Sequence, residues 1–309
     1  MSETSKNTAG ADVNEIMFAY IAANKDLVKL QNSKEAVKAL ESRKQEISSL
    51  QFQDQAERAH AMYKEVLSWA EVNGWDGQIT RVWWTARPGI LDKAIGGGAS
   101  LGNPTDVLLE FNGEDFLGIS AKSTKSSGNI GFKNPGAKSI GNILGIDLHS
   151  YKEEVTEKWI KKFNLPSVAK KRKVYIKAPG NELIKQKIEK AGKDILKALR
   201  DRLYNHLLTM DEENIRQHIV KYWLDAHDNY PYYIKVTGRG NERKGYSASI
   251  VDPNESENYK ALMSEEIEIV PVANTSVGIR AGGRRIMKMR FKFESQKLAS
   301  GLKMSGDPW

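Results

Sequence analysis

The stretch Asn103-Pro104-Thr105-Asp106-Val107-Leu108-Leu109-Glu110-Phe111-Asn112-Gly113-Glu114-Asp115-Phe116-Leu117-Gly118-Ile119-Ser120-Ala121-Lys122 decides the fold. Two apolar runs flank Asn112-Gly113, a strong hairpin signal. Asp106–Phe111 reads as one strand and Phe116–Ser123 as its antiparallel return. Side chains alternate faces along a strand. Asp106, Leu108 and Glu110 therefore share one face, and Gly118, Ser120 and Lys122 share one face of the next strand. With Asn112-Gly113 as a two-residue tip, paired residue numbers sum to about 225. Asp106 then falls opposite position 119, beside Ser120 and toward Lys122, at the open end of the hairpin. Glu110 lies nearer the turn and reads as an exposed strand carboxylate, because unpaired charges belong on surfaces.

Upstream, the apolar spacing predicts three helices. Asp12 caps the first, which contains Ile16, Met17, Phe18, Tyr20 and Ile21; residues 1–11 read as disordered. Asn32 or Ser33 starts the second, with Val37, Leu40, Ile47 and Leu50. The third runs from about Gln53 to Val72 with Met62, Val66, Leu67 and Ala70 on one face, and Asn73-Gly74 ends it. Gln78–Ala86 reads as a strand closed by Arg87-Pro88-Gly89. Its adjacent Trp83 and Trp84 face opposite ways, so at least one packs in the core. Gly96-Gly97-Gly98 and Ser126–Gly141 read as loops.

Downstream, helices are expected at Tyr151–Phe163, about Glu182–Met210 and Asp211–Asp228. Strands are expected at Tyr232–Thr237, Tyr246–Val251, Ile267–Val272, Ser276–Arg280 and Ile286–Glu294. Val174-Tyr175-Ile176 is ambiguous between strand and helix. This order makes the chain α/β or α+β, with one elaborated core. It implies a helical extension over 1–52, a core over 53–238 with a basic helical insertion at about 151–228, and a β-rich region over 239–309 packed on that core.

The 309 residues hold 47 Lys and Arg against 39 Asp and Glu, a net charge of +8. That balance favours anionic partners, nucleic acid first among them. Residues 151–206 carry 16 basic against 7 acidic side chains, including the run Lys170-Lys171-Arg172-Lys173. In Arg285–Phe293, Met287, Met289, Phe291 and Phe293 face a core, while Lys288, Arg290 and Lys292 line the other face. Arg280 and Arg284 flank Gly282-Gly283 beside that strand. Lys125 and Lys133, in the hydroxyl-rich loop after the hairpin, suit a phosphate backbone. The candidate nucleic-acid contacts are thus Lys125, Lys133, Lys170, Lys171, Arg172, Lys173, Arg284, Lys288 and Arg290.

The chain has no cysteine, which excludes disulfides, thiolate zinc sites and cysteine nucleophiles, and fits a reducing cytoplasm. No apolar run approaches the roughly 20 residues that span a bilayer, and the polar N-terminus is not followed by an apolar signal region. The five histidines form no close zinc pair, and no phosphate-binding glycine–lysine loop is present. A kinase or ATPase of that type is therefore not expected.

Pro104-Thr105-Asp106 and Ser120-Ala121-Lys122, in their helix–strand–hairpin setting from about Gln53 to Thr237, resemble the PD-(D/E)xK (restriction-endonuclease-like) nuclease superfamily. Serine stands where the second half of that pattern has an acid. The resemblance implies a central mixed sheet flanked by helices, and a Mg²⁺-dependent DNA endonuclease with Mn²⁺ as a substitute cation. It implies Asp106 and the Ala121 carbonyl as metal ligands. Lys122 then orients or deprotonates the attacking water, or stabilises charge on the phosphorane, and Ser120 holds a metal-bound water. The acid missing at position 120 is expected from the helix before the first core strand, where Glu65 is the first choice and Glu71 the second. Glu110 is a further acid on the Asp106 face. The resemblance points to a phage or mobile-element origin, and the composition to the cytoplasm. A homodimer would suit cleavage of both strands, because one active site cuts one strand at a time; that follows from mechanism and leaves monomer against dimer open. The alternative is a non-catalytic nucleic-acid-binding protein on a degenerate form of the same fold. A third reading is an interaction protein whose basic segments bind an acidic protein.

Overall fold

The computed structural model describes residues 3–75, 77–100, 103–125, 135–224 and 230–309, with side chains from residue 8 onward. In chain order the first elements are α1 (Glu3–Ala22), α2 (Ser33–Lys44), α3 (Ser49–Val72), β1 (Ile79–Trp84), α4 (Ile90–Ala94), β2 (Val107–Phe111) and β3 (Asp115–Thr124). Next come α5 (Ala137–Leu144), α6 (Leu148–Lys162), α7 (Ala169–Lys177), α8 (Glu182–Leu207) and α9 (Glu212–His218), the last running into a π-helical turn (Ile219–Leu224). The chain continues with β4 (Tyr232–Asn241), β5 (Gly245–Val251), α10 (Glu257–Ser264), β6 (Ile267–Ala273), β7 (Ser276–Ala281), β8 (Arg284–Phe293) and β9 (Leu302–Pro308). These elements form two compact units, Met1–Gly128 with Asp225–Ser256, and Asn129–Leu224 with Glu257–Trp309. The units do not coincide with the three consecutive segments expected from sequence, and each has its own sheet.

The first unit is a five-stranded mixed sheet in the order β1-β2-β3-β4-β5. Only β3 and β4 run parallel; the other neighbours are antiparallel. Val107, Leu109, Leu117, Ile119, Ile234 and Val236 are buried in one cluster with Ile16 and Phe18 of α1 and Met62 and Val66 of α3. Alternation explains this: odd-numbered residues of β2 and β3 face the helices, even-numbered ones do not. Residues 29–31 extend the sheet past β1, with Val82 N–H donating to Lys29 O and Gln31 N–H to Val82 O.

Helix α1 begins at Glu3, so the disorder expected over residues 1–11 does not hold for residues 3–11. Asp12 is not a cap but lies well inside the helix. The apolar stripe runs back through Val13 to Ala9, both fully buried, which gives the extra turns a surface to pack on. Helix α3 starts earlier than its apolar face suggests because Ser48 closes a capping box. Its Oγ accepts from Gln51 N–H (3.2 Å), and the Gln51 side chain accepts from Ser48 N–H (3.0 Å).

The hairpin pairs Val107 with Ile119 and Phe111 with Asp115. The turn is therefore three residues long, Asn112 to Glu114, with Asn112 and Gly113 at positive φ (53° and 84°). The extra residue moves the pairing by one, so Asp106 falls opposite Ser120 rather than position 119.

The second unit is an antiparallel sheet, β6-β7-β8-β9, with helices. Val277, Ile279, Met287, Met289, Phe291 and Met304 are buried, and α8 packs against β6, β7 and β8. Phe293 is only half-buried. Val174-Tyr175-Ile176 is helical within α7, and β9 is a strand not foreseen from sequence. No helix among the described residues is long and apolar enough to cross a membrane.

Candidate active site

Asp106 stands at the point where β1, β2 and β3 converge. Its N–H donates to Ile119 O and its carbonyl accepts from Thr85 N–H, both at 2.9 Å. The turn before it is locked by Asn103, whose Oδ1 accepts from Thr105 N–H (3.1 Å) and Thr105 Oγ1 (2.7 Å). Thr85 Oγ1 donates to Thr105 O (2.8 Å), and Asn103 Nδ2 to Pro231 O (2.9 Å). Pro104 has no N–H to satisfy, which suits it to this crowded turn. Gly118 makes room for the turn, since a Cβ there would overlap Thr105 Oγ1 and crowd Tyr233.

The Asp106 carboxylate meets β3 edge-on. Oδ2 accepts from Ala121 N–H (2.8 Å) and from Lys122 Nζ (3.2 Å). In extended chain a residue's N–H and C=O point to the same strand edge. The Ala121 carbonyl therefore faces the same gap as Asp106, beyond the last paired residues Val107 and Ile119. Ser120 is buried opposite Asp106, and its Oγ is an orphaned polar atom. Lys122 remains 42% exposed and Asp106 20% exposed, so the pair opens to solvent on the lysine side.

A second carboxylate comes from α1. Glu15 is buried, accepts from Trp84 Nε1 (3.2 Å) and lies within electrostatic reach of Asp106 and Lys122. Its pKa is pushed up to about 8, first by burial, then by the negative charge of Asp106. The Trp84 hydrogen bond opposes that rise, Asp12 adds to it and Lys122 offsets it slightly. Burial also raises Asp106, against the pull of Lys122, of the Ala121 N–H and of the nearby Ser120 hydroxyl. One turn before Glu15, buried Asp12 is held by Arg43 (2.7 Å) and Arg87 (2.8 Å). Arg87 in turn stacks over Trp84, 4.5 Å from the ring centre.

Beneath the end of β3 lies a buried polar group. Arg58 donates from Nη1 to Ser123 Oγ (3.2 Å) and from Nε to Gly240 O (2.8 Å), and it pairs with Asp54 (3.3 Å). Tyr246 donates to Asp54 Oδ1 at 2.9 Å. These bonds tie α3 to β3 one residue beyond Lys122.

The structure thus brings Asp106, Ser120, Ala121 and Lys122 together as expected. It does not bring Glu65 to them. Glu65 and Glu71 lie on the exposed side of α3, while the neighbouring Val66 and Ala70 face the core. Glu110 is not an exposed carboxylate: it is buried, paired with Arg81 (2.5 Å) and bonded by Thr80 Oγ1 (2.8 Å). Trp83 and Trp84 are both buried, where alternation required it of at least one.

Among the basic residues, Arg172 is a correction. It is buried and donates to Leu298 O, Pro166 O and Ser167 O at 2.6–2.7 Å, so it braces the fold and is closed to a ligand. Lys170, Lys171 and Lys173 are exposed on α7. Lys125 is exposed, 3.9 Å from Asp54. Arg284 pairs with Glu257 (3.2 Å) and Arg290 with Asp307 (3.0 Å); Lys288 is half-buried. Lys133 lies outside the described residues.

Among the described residues no three His, Asp or Glu side chains gather closely enough to cage a metal ion. The donors at Asp106 fit a different arrangement. Two carboxylates, a carbonyl and an unpartnered hydroxyl are all hard oxygen donors. Mg²⁺ takes one or two protein carboxylates and keeps several waters. The sequence signal for Glu15 was present but weak: an acid three residues after Asp12, inside an apolar stripe. No family model matches the chain, and no curated protein or solved structure matches it.

Proposed function

We propose that the first unit is a metal-dependent phosphodiesterase that cuts DNA, with a restriction-endonuclease-like core formed by β1–β5 and the helices α1 and α3. The observation that supports this best is the convergence on one strand gap of the Asp106 carboxylate, the Ala121 backbone edge and the Lys122 ammonium, with Glu15 buried beside them.

Asp106, Glu15 and the Ala121 carbonyl are the groups that would hold Mg²⁺. The cation supplies charge stabilisation at the phosphoryl oxygens and a water of lowered pKa. Lys122, held by Asp106 yet partly exposed, donates to a phosphate oxygen as negative charge grows there. Glu15, whose pKa burial pushes up to about 8, would have to be deprotonated to hold a cation. Ser120 Oγ, buried beside Asp106 without a well-formed hydrogen bond, is placed to orient water there. Cutting both strands takes two such sites, hence two copies of the chain.

Purified protein is expected to nick or cut duplex DNA in Mg²⁺ or Mn²⁺. Asp106→Ala and Lys122→Ala are each expected to lose about 10²-fold or more, the scale of removing a charge-stabilising group. Full activity in either variant would sink the assignment. Serine at position 120, where the resembled pattern has an acid, favours one other reading, a non-catalytic DNA-binding protein. Metal-independent binding with no cutting would support it.

A further inference from the structure

We propose that the outward face of the β6–β9 sheet is a docking surface for the sugar-phosphate backbone of duplex DNA, centred on Arg285, Lys288 and Lys292. This deepens the proposed function and rests on it for the identity of the polyanion.

Charge is divided between the two units. The second has 29 Lys and Arg against 17 Asp and Glu, an excess of 12; the first has 18 against 22, a deficit of 4. The proposed cutting site therefore sits in an acidic unit, which repels its own substrate. Affinity for a polyanion has to come from the basic unit, because phosphate contacts supply most sequence-independent DNA binding.

Within the second unit the sheet sorts its residues by face. Val277, Ile279, Met287, Met289, Phe291 and Met304 are buried inward, where Gly306 abuts Trp223. The alternating outward positions carry Arg280, Arg285, Lys288, Arg290, Lys292 and Lys303, against Glu268, Asp307 and the Glu294 that reaches Lys303. Lys292 stands directly opposite Lys303. Like charges facing across a strand pair destabilise it, and only one of the two has a counter-charge among the described residues. Lys303 has Glu294 at 3.1 Å. Lys288 and Lys292 have no ion-pair partner among the described residues.

Trp309 completes the face. Its ring lies over Gly278, where a Cβ would overlap it. The guanidinium groups of Arg280 and Arg285 each lie 5.1 Å from the ring centre. Stacking fixes their planes without using their N–H groups. Arg280 already donates to Glu268 (3.3 Å), whereas the Arg285 N–H groups stay available for phosphate oxygens. Arg285 is exposed, and Trp309 is its one aromatic neighbour among the described residues. A cationic strand row beside a partly exposed aromatic fits a nucleic-acid backbone better than an acidic peptide, whose charges are not regularly spaced.

The test uses the full chain carrying Asp106→Ala, so that nothing is cut, and a fluorescent duplex in metal-free buffer over a salt series. Adding Arg285→Gln, Lys288→Gln and Lys292→Gln is expected to lower the log K against log[salt] slope by about 0.9 per contact, about 2.7 in all. Affinity at low salt is expected to fall at least about tenfold. The same charge change on α7, Lys170→Gln with Lys171→Gln and Lys173→Gln, is expected to do less. Lys288→Gln alone, at a half-buried site, checks that the loss does not come from misfolding. An unchanged slope in the sheet variant, equal losses in both triple variants, or no DNA binding by the parent at low salt would each overturn the proposal. A cleavage assay on chain with Asp106 intact separates the two ideas. Salt-dependent binding without cutting removes the active-site reading and leaves the docking face. Cutting with undiminished binding in the sheet variant removes the docking face alone.

Discussion

Glu15 turns a site with one carboxylate into a site with two, and its protonation has a measurable cost. Its folded pKa of about 8 lies above the ordinary 4.5. Between those values the folded chain holds a proton that the unfolded chain has lost. Stability is therefore unaffected by this group below about pH 4.5 and falls as pH rises toward 8, by up to about 1.4 kcal/mol per pH unit. In metal-free buffer, urea midpoints of the parent are expected to drop more steeply from pH 5 to 8 than those of Glu15→Gln. Parallel curves would mean that Glu15 is ionised when buried. The same substitution is expected to reduce Mg²⁺-dependent cleavage by about 10²-fold or more while the fold survives. Asp106, Ser120 and Lys122 were legible because a hairpin makes their proximity local. Glu15 was not, because its neighbours lie far along the chain and Asp12 looked like a cap. Arg172 teaches the opposite lesson: a run of four basic residues hides one that faces inward. Arg172→Met strips three carbonyls of their donor and is expected to cost about 3 kcal/mol, at about 1 per net hydrogen bond. Lys171→Met is expected to stay within about 0.5 kcal/mol, and thermal melting of both variants checks the contrast.

At the scale of elements, the strand alternation in β2 and β3 carried most of the information. It placed Ser120 and Lys122 on one face before any contact was known. The turn length did not follow from Asn112-Gly113 alone. Asn112 also bonds back to Gln78, whose N–H donates to Asn112 Oδ1 at 3.1 Å, and that distant tie belongs to the three-residue turn. Strand β9 was missed because Ser305, Gly306 and Pro308 have low strand propensity; pairing with β8 overrides it. Gly118 is the element's weak point. Gly118→Ala forces a methyl against Thr105 and Tyr233 and is expected to cost about 1–3 kcal/mol. Because Thr105 carries the turn into Asp106, kcat should fall more than DNA affinity does. A variant with unchanged melting temperature and kcat would show that the turn relaxes freely.

At the scale of the whole molecule, two units with separate cores and opposite charge balance replace the single core expected from sequence. The sequence showed the basic stretch but not its assignment, because each unit is built from two separated pieces of chain. Self-repulsion destabilises a compact state of high net charge. Raising salt is therefore expected to lift the melting of the second unit more than that of the first. Scanning calorimetry should show two transitions that move unequally, and one transition moving as a whole would contradict separate units.

Strand β3 ends at Thr124, and its parallel partner β4 begins at Tyr232, with most of another unit in between. On the ribosome those intervening residues must be made first. At about 5–20 residues per second, the edge of β3 that β4 will cover stays unpaired for roughly 5–20 s. An open strand edge invites pairing with other chains, and this one belongs to the strand that carries Lys122, on the side away from Asp106. The strand that holds the lysine is thus the part of the newborn chain most in need of a chaperone's cover.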